Sequence, residues 1–277
     1  MGFLGVTMKN AELNELQNAI YGIFLEFDRI CGKYGIKYSM EGGTLLGAVK
    51  YGDFVPWDDD IDVIMLRSEY NRFLEVAPRE LNSDYFLQSY HNVPEFPLNY
   101  AKLCYTKSRI YEYSYSHIKT MNHGIFMDIF PIDHIKPEKL KSQVHWIGLL
   151  TGARRTKLHI HLHGIRWWKK ICYRTAACLP MRVLNGLMDK VCTCYNHLDT
   201  GYCYEICNPN KKFKPLPQDV YMNLTKIRFR DREFMAVEKY DDFLKSRFGE
   251  NYMRETPPRN QRKPSHSPNI LLERQAE

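Results

Sequence analysis

Four carboxylates fall within five consecutive positions, Asp58, Asp59, Asp60 and Asp62, in a run whose other members are apolar: Trp57 precedes them, and Ile61, Val63 and Ile64 lie among and after them. Like charges at the start of a buried strand destabilise the fold unless a cation offsets them. Asp60 to Met65 reads as such a strand. Side chains alternate along a strand, so Asp58, Asp60 and Asp62 are expected on one face and Asp59 on the other. Carboxylates at alternate positions, about 7 Å apart, suit a hard divalent ion such as Mg²⁺ or Mn²⁺, which fills its shell with phosphate and water. An EF-hand does not fit, because its loop glycine and closing glutamate are missing. A solvated acidic loop is the competing reading, and the apolar neighbours argue against it.

Upstream, residues 8–34 carry Leu13, Leu16, Ile20, Ile23, Phe27 and Ile30 at helical spacing, with Gly35 as the stop. Ile36 to Met40 reads as a short strand, Glu41-Gly42-Gly43-Thr44 as a tight turn, and Leu45 to Val49 as a second helix. Adjacent glycines before a helix let backbone N–H groups approach a phosphate. Gly42, Gly43 and Thr44 therefore place a candidate phosphate cradle beside a candidate metal pair. Downstream, Ser68 to Val76 reads as a helix capped by Ser68. Strands are expected at Tyr85 to Ser89, Tyr100 to Tyr105, Ile110 to Tyr115 and Ile125 to Ile129. Asp128 sits alone in the last of these, and a lone acid in an apolar strand calls for a site role. Lys102 is either a phosphate ligand or a strand lysine that snorkels. A hairpin is expected over Ile227 to Val237 and a helix over Glu238 to Phe248, ended by Gly249. These elements predict an α/β or α+β sheet domain.

Charge is distributed unevenly. No acidic residue occurs between Glu138 and Asp189, a stretch holding ten lysines and arginines, so the rest of a chain of net charge +7 is slightly acidic. This basic middle is expected to be mostly helical, except for a strand at Lys157 to His161. Between 145 and 182, tryptophans alternate with Arg154, Arg155, Lys157, Arg166, Lys169, Lys170, Arg174 and Arg182. That mixture suits the surface of an anionic membrane, and a solvated face over a Trp-lined core is the alternative. His159, His161 and His163 would offer metal ligands only from a strand. Cys192, Cys194, Cys203 and Cys207 match no common zinc spacing and read as reduced, buried thiols. No apolar run is long enough to span a bilayer. Residues 1–10 show no secretory pattern, and Val6 stands where myristoylation needs Ser or Thr, so a cytoplasmic location is expected.

The run Met40-Glu41-Gly42-Gly43-Thr44-Leu45-Leu46-Gly47-Ala48-Val49-Lys50, followed by Pro56-Trp57-Asp58-Asp59-Asp60-Ile61-Asp62, resembles the LicD family of phosphotransferases. Met127 to Asp133 is similar to a second block of that family, and Asp231 to Pro258 to its C-terminal block, with His266 as the histidine that often follows. The resemblance implies a nucleotidyltransferase-like mixed sheet with flanking helices and a basic, mostly helical insertion. The implied organisation is a catalytic core over 1–137, the insertion over 138–198, the end of the catalytic domain over 199–255 and a mobile tail over 256–277.

The implied activity is transfer of phosphocholine from CDP-choline to a sugar hydroxyl of a cell-surface glycan precursor. Transfer of another CDP-linked alditol, ribitol or glycerol, is the near alternative. By that likeness Asp60 and Asp62 hold the metal, with Asp58 and Asp128 close by; one carboxylate, for which Asp128 is the candidate, accepts the hydroxyl proton. Gly42, Gly43, Thr44, Lys50, Trp57, Asp58 and Lys102 bind substrate. Lys50 stands where arginine is common, and Ala236-Val237 replaces a frequent proline. A lipid-linked acceptor and peripheral contact through 145–182 at the inner membrane face follow as expectations. Two further readings remain: a nucleotidyltransferase acting on a small molecule or RNA, and a non-catalytic membrane-surface scaffold. The first lacks the stacking and glycine patterns of RNA modules, so no nucleic-acid partner is expected. Against the second stand the intact carboxylates.

Overall fold

The computed structural model describes residues 8–10, 13–110, 112–162, 164–209, 214–254 and 270–273. In chain order the elements are β1 (Met8–Asn10), α1 (Leu13–Tyr34), β2 (Ser39–Met40), α2 (Gly42–Tyr51), β3 (Asp62–Leu66), α3 (Arg67–Glu80), β4 (Tyr85–Gln88), β5 (Ala101–Tyr105), β6 (Ser108–Ile110) and β7 (Ile125–His134). There follow α4 (Leu140–Lys157), α5 (Trp167–Ala176), α6 (Met181–Thr193), β8 (Tyr202–Tyr204), β9 (Leu216–Pro217), α7 (Gln218–Met222), β10 (Leu224–Phe229), β11 (Arg232–Val237), α8 (Tyr240–Phe248) and β12 (Ile270–Glu273). The mixed α/β content and the flanking helices agree with the class expected.

The main sheet runs β2-β3-β7-β5-β4, with β3 and β7 parallel and the other neighbours antiparallel. Its register aligns three charged residues. Asp62 on β3 pairs with Asp128 on β7, which pairs in turn with Lys102 on β5. Residues far apart in sequence thus stand in one row across three strands. β7 is buried at every position from Ile125 to Asp133 except Asp128, which is partly open.

Helix α1 lies against the sheet through Leu16, Ile20, Phe24, Phe27 and Ile30, all at most 1% exposed. Burial of each such side chain stabilises by about 1.5–3 kcal/mol. Gly35 ends the helix at φ +59°, and the Ile36 N–H bonds back to the Cys31 carbonyl at 2.8 Å, a six-to-one closure that favours glycine. The predicted hairpin forms as β10–β11, and Phe234 stacks on Phe24 at 4.2 Å between ring centroids. At its tip Arg230 bonds the Asp53 carboxylate at 2.7 Å and donates its backbone N–H to the Gly52 carbonyl at 2.6 Å. The hairpin therefore holds the loop that leads into the acidic run.

Several local expectations are corrected. The Gly42-Gly43 pair does not form a free turn, because α2 begins at Gly42 rather than at Leu45. β3 begins at Asp62 rather than Asp60, since the chain is still turning at Pro56-Trp57 and stays irregular to Ile61. Ser68 does not cap α3: β3 runs directly into Arg67, with Leu66 at the cap position. β6 ends at Ile110, and residues 8–10 form a strand rather than the start of α1. Lys157 to His161 is the end of α4 and a turn with His159 at φ +55°, so the alternating histidines have no strand to align them; His163 lies outside the described residues. So do His266, Pro257-Pro258 and the 256–277 tail, apart from Ile270–Glu273, which pairs between β1 and β6. The cysteines are unpaired thiols; Cys192, Cys203 and Cys207 are buried as expected, whereas Cys194, at the C-terminal end of α6, is exposed. Among the described residues they form no metal-holding group, and no helix is long and apolar enough to cross a membrane.

Candidate active site

The acidic loop is tied to α1 at its start and to α2 and the sheet at its end. The Asp58 carbonyl accepts a bond from the Gln17 side-chain amide at 2.8 Å, and the Asp58 N–H donates to the Val55 carbonyl at 2.8 Å. The Asp62 N–H donates to the Thr44 hydroxyl at 2.9 Å, and the Asp62 carbonyl accepts from the Glu41 N–H at 3.0 Å. The Asp128 N–H donates to the Ile61 carbonyl at 3.0 Å. Thr44, expected as a phosphate ligand, thus uses its hydroxyl to fix Asp62, a role with no local sequence signal.

Oxygens of Asp58, Asp59 and Asp60 lie within 4.8 Å of one another. This revises the expected alternation: without a regular strand at 58–61, Asp59 gathers with its neighbours instead of pointing away, and it is almost wholly buried. Asp62, at the start of β3, lies within the influence of Asp60, Asp128, Asp58 and Glu41. Burial, then the negative charge of those four, pushes its carboxyl well above the usual range. Burial, then Asp60 and Asp59, pushes Asp58 up to about 8. So dense a group of carboxylates at one end of parallel strands is the arrangement a divalent cation offsets.

The glycines explain how the helix comes so near. A Cβ on Gly43 would stand 2.3 Å from Asp58 Oδ2, and one on Gly47 would stand 2.5 Å from the Asp53 carbonyl oxygen and 2.9 Å from the Val55 nitrogen. Gly42 adopts φ +51°, with its Cβ direction 3.8 Å from Asp62 Oδ2. Two alanine substitutions separate the roles. Gly47→Ala meets backbone that cannot yield and is expected to destabilise by about 1–3 kcal/mol. Gly43→Ala meets only a movable carboxylate in a helix that favours alanine by up to ~1 kcal/mol. Its unfolding free energy is expected to stay near wild type while turnover falls roughly tenfold or more as Asp58 is displaced. Chemical denaturation beside a transfer assay measures both, and equal activity in Gly43→Ala would remove Asp58 from the site.

Lys102, 3% exposed, places Nζ 3.9 Å from Asp128 Oδ1, 3.6 Å from Glu112 Oε1 and over the Phe126 ring. It is a buried cation beside the carboxylates, not a snorkelling surface lysine. Lys50 is placed elsewhere: it occupies the last turn of α2, about 12 Å along the axis from Gly42, with Nζ 3.4 Å from the Tyr252 carbonyl oxygen. Trp57 is half-buried in the turn before the acids.

Three neighbours were not singled out from sequence. Arg247 of α8 sets Nε 2.9 Å from Glu41 Oε1, both side chains buried, so the C-terminal helix is tied to the start of α2. Glu205, after β8, is pushed up to about 8 by burial and then by Glu41, against the opposing pull of Arg247. Tyr100 is held protonated well above its usual range by burial, then by Asp128 and Asp62. Only Glu41 stood inside a recognisable motif; Arg247 and Glu205 join it from more than 160 positions away.

Residues 35–156 match the family model described as LicD/FKTN/FKRP, nucleotidyltransferase domain, a span that contains α2, the acidic loop, Lys102 and Asp128 and runs through α4. The lipopolysaccharide cholinephosphotransferase LicD of Haemophilus influenzae is 27% identical over 94% of this chain and 97% of its own length. Ribitol 5-phosphate transferase FKRP of Homo sapiens is 55% identical over a segment of 29 residues, 10% of this chain and 6% of that protein. An uncharacterised protein of Rickettsia typhi is 33% identical over 22% of this chain and 20% of its own length.

Proposed function

The chain belongs to the LicD family of phosphotransferases, and on that premise we propose that it transfers phosphocholine from CDP-choline to a sugar hydroxyl of a cell-surface glycan precursor, using Mg²⁺ or Mn²⁺. The observation that carries the reading is the row Asp62–Asp128–Lys102 set beside the gathered carboxylates of the acidic loop. Choline is favoured because the relative that aligns along almost the whole chain is a cholinephosphotransferase. Ribitol phosphate is the second reading, from the FKRP segment.

The residues fit a divalent cation. Asp60 and Asp62 would hold it, with Asp58 alongside, because their burial and mutual repulsion make the ionised cluster unfavourable without a positive charge. A bound cation supplies charge neutralisation on the donor's phosphates. Gly42 and Gly43 bring the first turn of α2 against Asp62 and Asp58, and the N–H groups of a helix start favour an anion. Asp128 would accept the proton of the attacking hydroxyl, and Lys102, whose Nζ lies 3.9 Å from it, would offer a donor to a phosphate oxygen. Arg247 holds Glu41, and through it the start of α2.

The purified protein is to be given CDP-choline, CDP-ribitol or CDP-glycerol with a glycan acceptor, and products followed by mass spectrometry with and without chelator. Phosphocholine on the acceptor, CMP release and loss of both on chelation are expected. Consumption of no CDP-alcohol sinks the reading, and a nucleotide left on the acceptor with release of pyrophosphate replaces it with nucleotidyl transfer.

Stability should follow the same charges. A carboxyl raised in the fold is fully stabilising below its unfolded value and loses that contribution as pH rises through the folded value, here about 8 for Asp58. Chelated protein is therefore expected to melt progressively lower from mildly acidic pH towards pH 8. Saturating Mn²⁺ is expected to raise the midpoint most at the alkaline end, by roughly 5 °C or more. A pH-independent metal effect would count against the cluster as the binding site.

A further inference from the structure

The basic middle splits into an inward and an outward part. Arg154, expected at the surface, is fully buried: its guanidinium bonds the Asn99 side chain and the Phe96 and Leu98 carbonyls and lies over the Tyr90 ring. It anchors α4 to the loop before β5. Helix α5 packs on α4 through Tyr173, whose ring sits so close to Gly152 that a Cβ there would meet it at 2.5 Å. Helix α6 packs inward through Leu184, Met188 and Cys192. With those faces occupied, the opposite faces of α5 and α6 must meet solvent.

What they present is apolar as well as basic. Trp167 is 74% exposed and Ile171 55%, and Val183 and Leu187 are also exposed. Lys170, Arg174 and Arg182 are exposed on the same two helices. No carboxylate occurs in either helix before Asp189 near the end of α6. Large outward apolar side chains ordinarily mark an interaction surface. We propose that the outer face of α5 and α6 docks on the surface of an anionic lipid bilayer.

Three physical arguments select that occupant. Tryptophan and aliphatic side chains flanked by lysine and arginine match the layered polarity of a bilayer interface, where apolar groups enter the acyl boundary and cations stay among the headgroups. A nucleic acid would be served by the cations but not by Ile171, Val183 and Leu187. A second copy pairing through the same face would bring Lys170, Arg174 and Arg182 against their own equivalents with no acid to offset them. The surface is narrower than residues 145–182, since Arg154 and Tyr173 are committed to the interior. The inference needs no assumption about the donor or acceptor.

Flotation of the full chain with vesicles tests it without any substrate. Binding is expected to phosphatidylcholine vesicles containing phosphatidylglycerol and not to phosphatidylcholine alone, and to fall as salt rises. The triple variant K170A/R174A/R182A is expected to bind on the order of 100-fold more weakly, at about 1 kcal/mol per lost cation. The double variant W167A/I171A should lose roughly tenfold or more. Unchanged thermal midpoints in both variants, whose residues point outward, would show that the fold is intact. The proposal is overturned by wild-type protein that does not float, by equal binding to neutral vesicles, or by variants that bind like wild type. A dimer dissolved by W167A/I171A, without vesicle binding, would assign the face to a second copy instead and equally overturn it.

Discussion

Asp62→Asn is expected to reduce transfer by roughly a thousandfold or more, the loss of several kcal/mol of charge stabilisation, and at the same time to make chelated protein more stable. The two effects have one origin. Asp62 is pinned through its backbone by Thr44 and Glu41, so the substitution changes charge without freeing the chain. Its carboxyl is buried and faces the negative charge of Asp60, Asp128, Asp58 and Glu41. The ionised form is costly in the empty cluster, and asparagine removes it. Since a raised carboxyl loses its contribution as pH climbs, the gain in midpoint should widen from mildly acidic pH upwards. Added Mn²⁺ should then stabilise Asp62→Asn much less than wild type. Kinetics and thermal melting of the pair with and without chelator give both readouts. Wild-type turnover would show that the site is misplaced; lost activity with a lower chelated midpoint would show that Asp62 is structural.

The parts of this site that sequence made legible share a local signal. Asp62 and Asp128 each interrupt an apolar strand, and a lone acid among apolar strand residues is enough to mark each as a site candidate. That they pair across β3 and β7 is a matter of register, which no single strand reveals. Strand alternation does not hold at Asp59, because Pro56 and Trp57 turn the chain and no regular strand begins before Asp62. Lys102 was ambiguous for the same reason that it proves informative: a lysine in a strand is read as snorkelling until its neighbours are known, and here they are Asp128 and Glu112. Arg154 looked like one more surface cation in a basic stretch. Only the fold shows carbonyl groups waiting for it. Arg247 and Glu205 carry no local signal, because what singles them out is proximity to Glu41 across most of the chain.

Arg67→Met is expected to cost about 3–5 kcal/mol, the largest stability loss of any substitution considered. Asp133 has no exposed surface and is held by Arg67 through two bonds of 2.8 and 2.6 Å, with the Asn196 amide at 2.6 Å on the same oxygen that accepts the longer one. Truncating the arginine leaves a carboxylate buried with one neutral donor, which is the expensive way to break an ion pair. Removing both charges is different: Arg67→Met with Asp133→Leu is expected to recover most of the loss, because neither buried group then needs compensation. The pair also bears on function through position. Arg67 begins α3 at the end of β3, and Asp133 lies near the end of β7, one step beyond the pairing of Leu66 with Ile132. It staples the far ends of the two parallel strands whose near ends carry Asp62 and Asp128. Denaturant titration of the single and double variants measures the stability, and transfer by the double variant reports on the register. If Arg67→Met falls within about 1 kcal/mol of wild type, the size of a typical exposed pair, the staple does not hold. If the double variant is stable yet slow, the ion pair is there to set the spacing of the carboxylates rather than to hold the protein folded.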